Sequence, residues 1–95
     1  MTAQKRALTL HQWVVYIIAC ADRSLYTGIT TDMNRRMEEH AAGTGAKYTK
    51  RRGPFALRYM ERHATRSAAL KREAAIKAMD RSAKLALIAT PSTGS

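Results

Sequence analysis

The acidic residue best placed for chemistry is Glu73. Most of the other acids among the seven Asp and Glu residues are expected in turns, at helix starts or on outer helix faces, where solvent or the helix dipole satisfies them. Glu73 instead shares a helix face with Ala69 and Ile76, so its carboxylate borders an apolar stripe and needs a cation. That cation is either Lys77, in an ordinary i,i+4 ion pair, or one supplied from outside the chain. Spacing alone favours the ion pair.

Two polar residues interrupt the apolar stripe of an earlier helix. Met33, Arg36, Met37 and His40 follow the i, i+3, i+4, i+7 pattern that faces a core. Either Arg36 and His40 lie at the edge of that stripe with their polar ends in solvent, or they line a cleft between helix and sheet. In a cleft, Arg36 would offer a planar guanidinium to a phosphate. The charged residues expected on the solvent side are Arg35, Glu38 and Glu39.

Two tyrosines flank one predicted turn, on strands expected to pair. Tyr16 and Tyr26 form an aromatic cross-strand pair in the simplest interpretation. Gly28 adds a second interpretation, because a glycine inside a strand often marks close approach by a ligand or another backbone. Tyr26 and Gly28 share a face by the two-residue period of a strand, so that face is a candidate site for a phosphate.

A cluster of cations occupies a loop predicted between Gly43 and Pro54. It has four cations in six positions and no acid, with Tyr48 among them. The whole chain has a formal net charge of +10 and a pI near 10.5, which favours a polyanionic partner. We therefore predict contact with a nucleic-acid backbone, which carries no information on base sequence. The cations are Lys47, Lys50, Arg51 and Arg52.

Several other classes of protein are excluded or disfavoured. Cys20 is the single cysteine, so the chain has no internal disulfide, and one Cys with three His supplies no zinc pattern. No P-loop and no Ser/His/Asp arrangement is present. Lys5 and Arg6 before an apolar run imitate a secretory signal, but a strand explains that run better. No stretch has the ~20 apolar residues of a membrane span. We expect a cytoplasmic protein without a membrane partner.

The elements that must position these residues form one domain, given 95 residues. β-rich runs and helix-capping signals predict the order β-β-α-β-α-α, an α+β fold with a three-stranded antiparallel sheet flanked by helices. Residues 1–11 are expected to be flexible and 91–95 to form a disordered tail. The predicted strands are 13–20, 25–30 and 55–62; the predicted helices run from caps at 31 or 32 to about 42, from 65 or 67 to about 79, and from 80 or 82 to about 90.

These residues together resemble the GIY-YIG nuclease superfamily, and most closely its small stand-alone bacterial members, the YhbQ-like or URI type. The resemblance covers roughly 13–88 and departs from the motif at Val14, where the family has glycine, and at Thr27, where it has isoleucine. The motif residues, taken together in their order and spacing, are more specific evidence than any one tripeptide. They are Val14-Val15-Tyr16, Tyr26-Thr27-Gly28, Arg36 eight residues later, His40 one turn beyond, and Glu73 in Leu-Lys-Arg-Glu-Ala-Ala-Ile-Lys.

The resemblance implies hydrolysis of a DNA phosphodiester with one divalent metal ion, Mg²⁺ or Mn²⁺. It implies that Tyr16 and Tyr26 position or deprotonate the attacking water, that Arg36 neutralises the phosphate, and that Glu73 binds the metal. His40 matches a histidine found in some branches of the family. The count of carboxylates agrees with one ion, because a two-metal site needs several converging acids and only Glu73 is poised towards a cleft.

Three functions remain as hypotheses at this point. A structure-selective or nonspecific DNA endonuclease, acting in repair or processing, is preferred. The second is a non-catalytic module that holds DNA or RNA in the same basic cleft, and the third is a docking domain of a larger assembly. Gly28, the loop cations and Lys77 are the expected substrate contacts. We expect Tyr16 to orient the water and His40 to accept the proton, and we assume a monomer.

Overall fold

A computed structural model describes residues 12–90 and has the predicted α+β architecture. Three antiparallel strands lie in the order β2-β1-β3. The predicted order of elements is confirmed, with ends that agree to within two residues. The segments expected to be flexible, 1–11 and 91–95, lie outside the described residues. The elements are β1 (Trp13–Ala19), β2 (Leu25–Thr30), α1 (Met33–Ala42), β3 (Ala56–His63), α2 (Arg66–Lys77) and α3 (Arg81–Ala89).

The central strand β1 is buried on both faces, which explains its unbroken apolar sequence. Its two faces enter two separate cores because successive side chains alternate across a sheet. Val15 and Ile17 pack with residues of α2 and α3, including Ala69 and Ile76. On the opposite face Val14, Tyr16 and Ile18 pack with residues of α1 and β3; the partly buried members there include Met33, Met37 and Met60. Tyr16 therefore faces α1.

Helix starts and stops follow the predicted capping chemistry. The side chains of Asp32, Thr65 and Asp80 accept hydrogen bonds from the backbone N–H groups three residues ahead, each typically worth about 1 kcal/mol. Gly43 ends α1 with φ +84°, in the left-handed region that glycine adopts without strain. These caps set where Arg36 and His40 fall on α1.

An ion-pair cluster fastens α2 to β3. Glu61 accepts hydrogen bonds from the Tyr59 hydroxyl and from Arg72 Nε at 2.9 Å, and lies 2.6 Å from His63 Nε2. Arg72 directly precedes Glu73 on α2, so this cluster sets the position and rotation of the helix that carries Glu73. Among residues 12–90, no helix is long and apolar enough to span a membrane.

Candidate active site

The Tyr16 hydroxyl is the centre of a hydrogen-bond network between β1 and α1. It lies 2.8 Å from His40 Nε2, and Arg36 Nε donates to it at 3.2 Å. Tyr16 and His40 are 0% and 1% exposed. The interpretation of His40 as an edge residue with its ring in solvent is therefore wrong. The helix stripe carries it into the core, where a buried ring needs partners for both nitrogens.

A third residue, Thr49, determines which His40 nitrogen carries the proton. The Thr49 hydroxyl donates to the Ala46 carbonyl at 3.1 Å, so its oxygen is left to accept from His40 Nδ1 at 2.8 Å. With the proton on Nδ1, Nε2 is bare and accepts the proton of Tyr16. The network thus runs in one direction, from the Tyr16 O–H to His40 and from His40 to Thr49.

The pKa directions agree with this arrangement. Burial, and then the nearby positive charge of Arg36, lower the pKa of His40, which keeps the ring neutral and able to accept. Burial raises the pKa of the Tyr16 hydroxyl, opposed by the hydrogen bond and charge of Arg36 and reinforced by Tyr26 and Glu73. At neutral pH, Tyr16 is therefore a neutral hydroxyl, and His40 Nε2 is the acceptor of its hydrogen bond.

Arg36 has a second partner that the helix pattern missed. Its Nη1 donates to Glu39 Oε1 at 3.0 Å, and Arg35 lies 3.9 Å from the other Glu39 oxygen. Burial alone would lower the pKa of Arg36, but its hydrogen bonds to Tyr16 and Glu39 raise it, so the guanidinium stays charged. The Glu39 side chain is 38% exposed, so it lies partly on the outer side of α1 as expected, while Oε1 accepts from Arg36. It holds Arg36 over the Tyr16 oxygen.

The second tyrosine packs against the network from β2. The Tyr26 ring centroid lies 5.4 Å from that of His40 and 6.3 Å from that of Tyr16. The register places Tyr16 opposite Gly28 and Tyr26 opposite Ile18, so the two tyrosines are diagonal neighbours rather than a directly facing pair. Both rings nevertheless lie on the face that α1 covers.

The glycine at position 28 is explained by packing within the protein rather than by contact with a ligand. A Cβ atom at this position would lie 2.6 Å from the Tyr16 hydroxyl oxygen and 2.8 Å from its Cζ. The close approach that the sequence predicted is therefore made by the Tyr16 ring of the protein itself. Gly28 is required for the tyrosine to reach His40, and the space above it is filled.

Glu73 and Lys77 form the i,i+4 ion pair that spacing favoured. The Lys77 Nζ lies 3.3 Å from Glu73 Oε2, and the Glu73 side chain is 17% exposed. The carboxylate is also near enough to Tyr16 to contribute to the raised pKa of its hydroxyl. Lys77 reaches the Tyr26 ring at 6.0 Å from the centroid. Glu73 therefore lies within electrostatic range of Tyr16, with a lysine as its present counter-ion.

The Glu73 carboxylate is compatible with the binding of one hard divalent cation. Within residues 12–90, no group of three or more His, Cys, Asp or Glu side chains converges on one point. Mg²⁺ is usually held by one or two carboxylates, several waters and the phosphates of a substrate. Glu73 would be the protein ligand of such an ion. The ion pair between Glu73 and Lys77 would have to break before the ion could bind.

The basic loop divides into two groups. Arg52 donates to the Tyr48 carbonyl, pairs with Asp22 in the β1–β2 turn and lies 4.4 Å over the Tyr48 ring. The structure therefore gives Arg52 a role in holding the loop, which the count of cations did not predict. The remaining cations Lys47, Lys50 and Arg51 are exposed. Lys50 and Arg51 line a cavity of about 630 Å³ that includes His40 but not Tyr16, Arg36 or Glu73.

Two residues of the network were missed by sequence reasoning. Thr49 is 0% exposed although it lies inside the charged loop. Gly45 allows the loop to approach His40, because a Cβ there would lie 2.5 Å from Nδ1. The glycine content of the loop was the one available signal, and it indicated exposure rather than a close contact with α1.

Comparisons with known proteins agree with this geometry. Residues 12–86 match the family described as the GIY-YIG catalytic domain. A UPF0213 protein of Staphylococcus aureus is 55% identical over 74 residues, covering 78% of this chain and 90% of the relative. A UPF0213 protein of Natronomonas pharaonis is 51% identical over 75 residues, covering 79% and 88%.

Two solution NMR structures share the fold. The UPF0213 protein of Bacillus halodurans is 43% identical with a TM-score of 0.54, over 81% of this chain and 82% of that one. A protein of E. faecalis is 46% identical with a TM-score of 0.56, over 77% and 78%. Family match, identity and fold agree, and the chain is a small member of the GIY-YIG nuclease family.

Proposed function

We propose that this chain is an endonuclease that hydrolyses DNA phosphodiester bonds with one divalent metal ion, Mg²⁺ or Mn²⁺. The observation that carries the proposal is the one-directional chain of hydrogen bonds from Tyr16 to His40 and Thr49, with Arg36 and Glu73 beside it. A buried tyrosine needs one partner, whereas this one has a neutral base and a guanidinium in hydrogen-bond contact with its hydroxyl. Such convergence of a tyrosine, a histidine and an arginine with shifted pKa values is typical of active sites.

The proton path follows from the hydrogen bonds. The attacking water donates to the Tyr16 oxygen, and Tyr16 passes its own proton to His40 Nε2 as it takes the proton of the water. The water oxygen then bonds to phosphorus while the bond from phosphorus to the leaving oxygen breaks, and the leaving oxygen departs as an alkoxide that takes a proton from solvent. His40 ends as the imidazolium, and Thr49 keeps its ring in the productive orientation throughout.

In this proposal Arg36 neutralises negative charge on the phosphate directly, and Glu73 does so indirectly by holding the metal ion. The bound ion would supply Lewis-acid stabilisation of negative charge on the phosphate and the leaving oxygen. Glu73 is its protein ligand in this proposal. Arg36 turns from the Tyr16 oxygen to a phosphate oxygen, which both neutralises charge and uncovers the Tyr16 oxygen for water. Because Glu39 already holds Arg36, substrate phosphate must compete with that carboxylate.

One observation favours the binding module as the second candidate. Tyr16 is fully buried, and both Arg36 and Glu73 already have counter-ions within the chain. A protein that only binds nucleic acid would have the same pairs and would never open them. The two candidates therefore differ in whether substrate and metal displace Glu39 and Lys77.

The test is a nicking assay on duplex, single-stranded, branched and RNA substrates with Mg²⁺ or Mn²⁺, with binding measured in parallel. We expect cleavage of DNA that Arg36→Ala reduces at least a hundredfold, since it removes charge stabilisation of the transition state. The neighbouring Arg35→Ala is the matched control, because Arg35 is exposed and makes only a long contact to Glu39. Wild-type protein that binds every substrate and cuts none would establish the binding module instead.

A further inference from the structure

A second cavity adjoins the candidate active site on the outer edge of β2. Its volume is about 430 Å³, and it shares Tyr26 and Lys77 with the group around Tyr16. Lys77 Nζ connects the two directly, since it contacts Glu73 on one side and lies near the Tyr26 ring. The lining residues are Leu25, Tyr26, Thr27, Tyr48, Lys77 and Lys84.

The charged residues that line this cavity are both lysines. Lys77 and Lys84 come from two different helices, and none of the lining residues is acidic. Lys84 is partly buried and has no carboxylate within 4.0 Å among residues 12–90. A partly desolvated ammonium without a counter-ion favours an anion from outside the chain. Two ammonium groups in one concave surface suit a phosphate, to which lysine binds as a point charge.

The remaining wall is aromatic. The rings of Tyr26 and Tyr48 stack at 5.9 Å with an interplanar angle of 22°, and Tyr48 is 44% exposed. Aromatic side chains beside cations are the usual lining of surfaces that follow a nucleic-acid strand, where ring faces pack against bases. Thr27 adds a buried hydroxyl with no hydrogen-bond partner among the described residues. The lining is therefore complementary to a nucleotide, which has both a phosphate and a ring, and less so to an acidic peptide, which offers only the negative charge.

We propose that this cavity binds the phosphate that neighbours the scissile phosphate on the same DNA strand, with Lys84 and Lys77 as its ligands and the exposed part of the Tyr48 side chain beside the attached nucleoside. The proposal rests on the proposed nuclease function, since Glu73 defines which phosphate is scissile. Lys77 then has two roles. It neutralises Glu73 in the free protein, and it would be released to the neighbouring phosphate if a metal ion replaced it beside Glu73.

The test measures binding without metal, so it does not depend on cleavage, and it varies Lys84, whose contact with the phosphate does not require Lys77 to leave Glu73. The affinity for a short DNA duplex or single strand is measured by fluorescence anisotropy over a range of salt concentrations, for wild type, Lys84→Ala and Lys71→Ala. Lys71 is exposed on α2, has no carboxylate within 4.0 Å among the described residues and lines neither cavity. It therefore controls for the loss of one positive charge.

We expect Lys84→Ala to reduce the slope of log affinity against log salt by about 0.7–0.9, the loss of one phosphate contact, and Lys71→Ala to leave it unchanged. Amide NMR spectra verify that both variants are folded and show the signals of Tyr26, Thr27 and Lys84 shifting with a thymidine trinucleotide. Equal slopes for the two variants would overturn the proposal. If inorganic phosphate shifts the same amides with the same dissociation constant as the trinucleotide, the cavity is a site for free phosphate and the DNA assignment fails.

Discussion

At the scale of single residues, the account depends on the direction of a few hydrogen bonds. Tyr16 reaches His40 only because position 28 lacks a side chain, and His40 accepts from Tyr16 only because Thr49 takes the proton on its other nitrogen. Glycine and threonine here do no chemistry themselves. In the proposed mechanism they are positioning residues that fix the orientation of His40, as an orienting partner does in enzymes with a histidine base.

Thr49→Val tests this positioning role. Valine keeps the volume and removes the acceptor for His40 Nδ1, so we expect the proton to become mobile between the two nitrogens and the nicking rate to fall at least tenfold. DNA affinity should be unchanged, and Thr49→Ser, which keeps the hydroxyl, should restore activity. Long-range ¹⁵N NMR of the imidazole reads the tautomer directly. Wild-type nicking and an unchanged tautomer in Thr49→Val would contradict the role.

Sequence reasoning named candidate site residues at this scale and missed their partners. Tyr16, Tyr26, Arg36, His40 and Glu73 are recognisable because their order and spacing match a motif. The structure places the first four around one hydrogen-bond network, with Glu73 within electrostatic range of Tyr16. Thr49 is nine residues from His40 and follows no helical or strand period, so no pattern connects it to the ring. Arg52 was misjudged for a related reason, since the count of cations in a loop gives no sign that one of them pairs with Asp22.

At the scale of elements, the fold was predictable because local signals agree with each other. Apolar runs of strand length, capping side chains and Gly43 give the order and approximate ends of all six elements. Local signals do not tell which sheet face each helix covers. Here α1 lies on one face and α2 with α3 on the other, so Glu73 must approach the tyrosines by way of the β2 edge, where Lys77 contacts Tyr26.

The cluster around Glu61 holds α2 against β3, and the charge of Glu61 should contribute to the stability of the fold. Burial alone would raise the pKa of Glu61, but hydrogen bonds from Tyr59, His63 and Arg72 lower it below its ordinary value of 4.5. A lowered folded-state pKa stabilises the fold above the unfolded value, and this contribution is lost as pH falls through the folded value.

We therefore expect Glu61→Gln to lower the free energy of unfolding by about 1.5–3 kcal/mol at pH 7, and the gap from wild type to close as pH falls below 4.5. Urea unfolding at several pH values measures it, with the exposed Glu38→Gln as control. A gap that stays constant from pH 7 to pH 3 would contradict the role of the charged Glu61.

At the scale of the whole molecule, charge and size explain what a chain of 95 residues can do. The net charge of +10 attracts any nucleic acid, with a strong dependence on salt and little dependence on sequence. Residues 12–90 form one small sheet with three helices, and the candidate site is assembled from both its faces and one edge. Selection of a substrate would then rest on the shape of the DNA and on the adjoining cavity.

The most direct measurement is the nicking of supercoiled plasmid by purified wild type, Glu73→Ala and Glu38→Ala with Mn²⁺ present and then removed by chelation. Glu38 is an exposed acid on α1 without a counter-ion within 4.0 Å among residues 12–90, so its variant changes the net charge equally. We predict nicking by wild type and Glu38→Ala that chelation abolishes, and none by Glu73→Ala at undiminished DNA affinity. Equal nicking by Glu73→Ala, or nicking that survives chelation, would contradict the account.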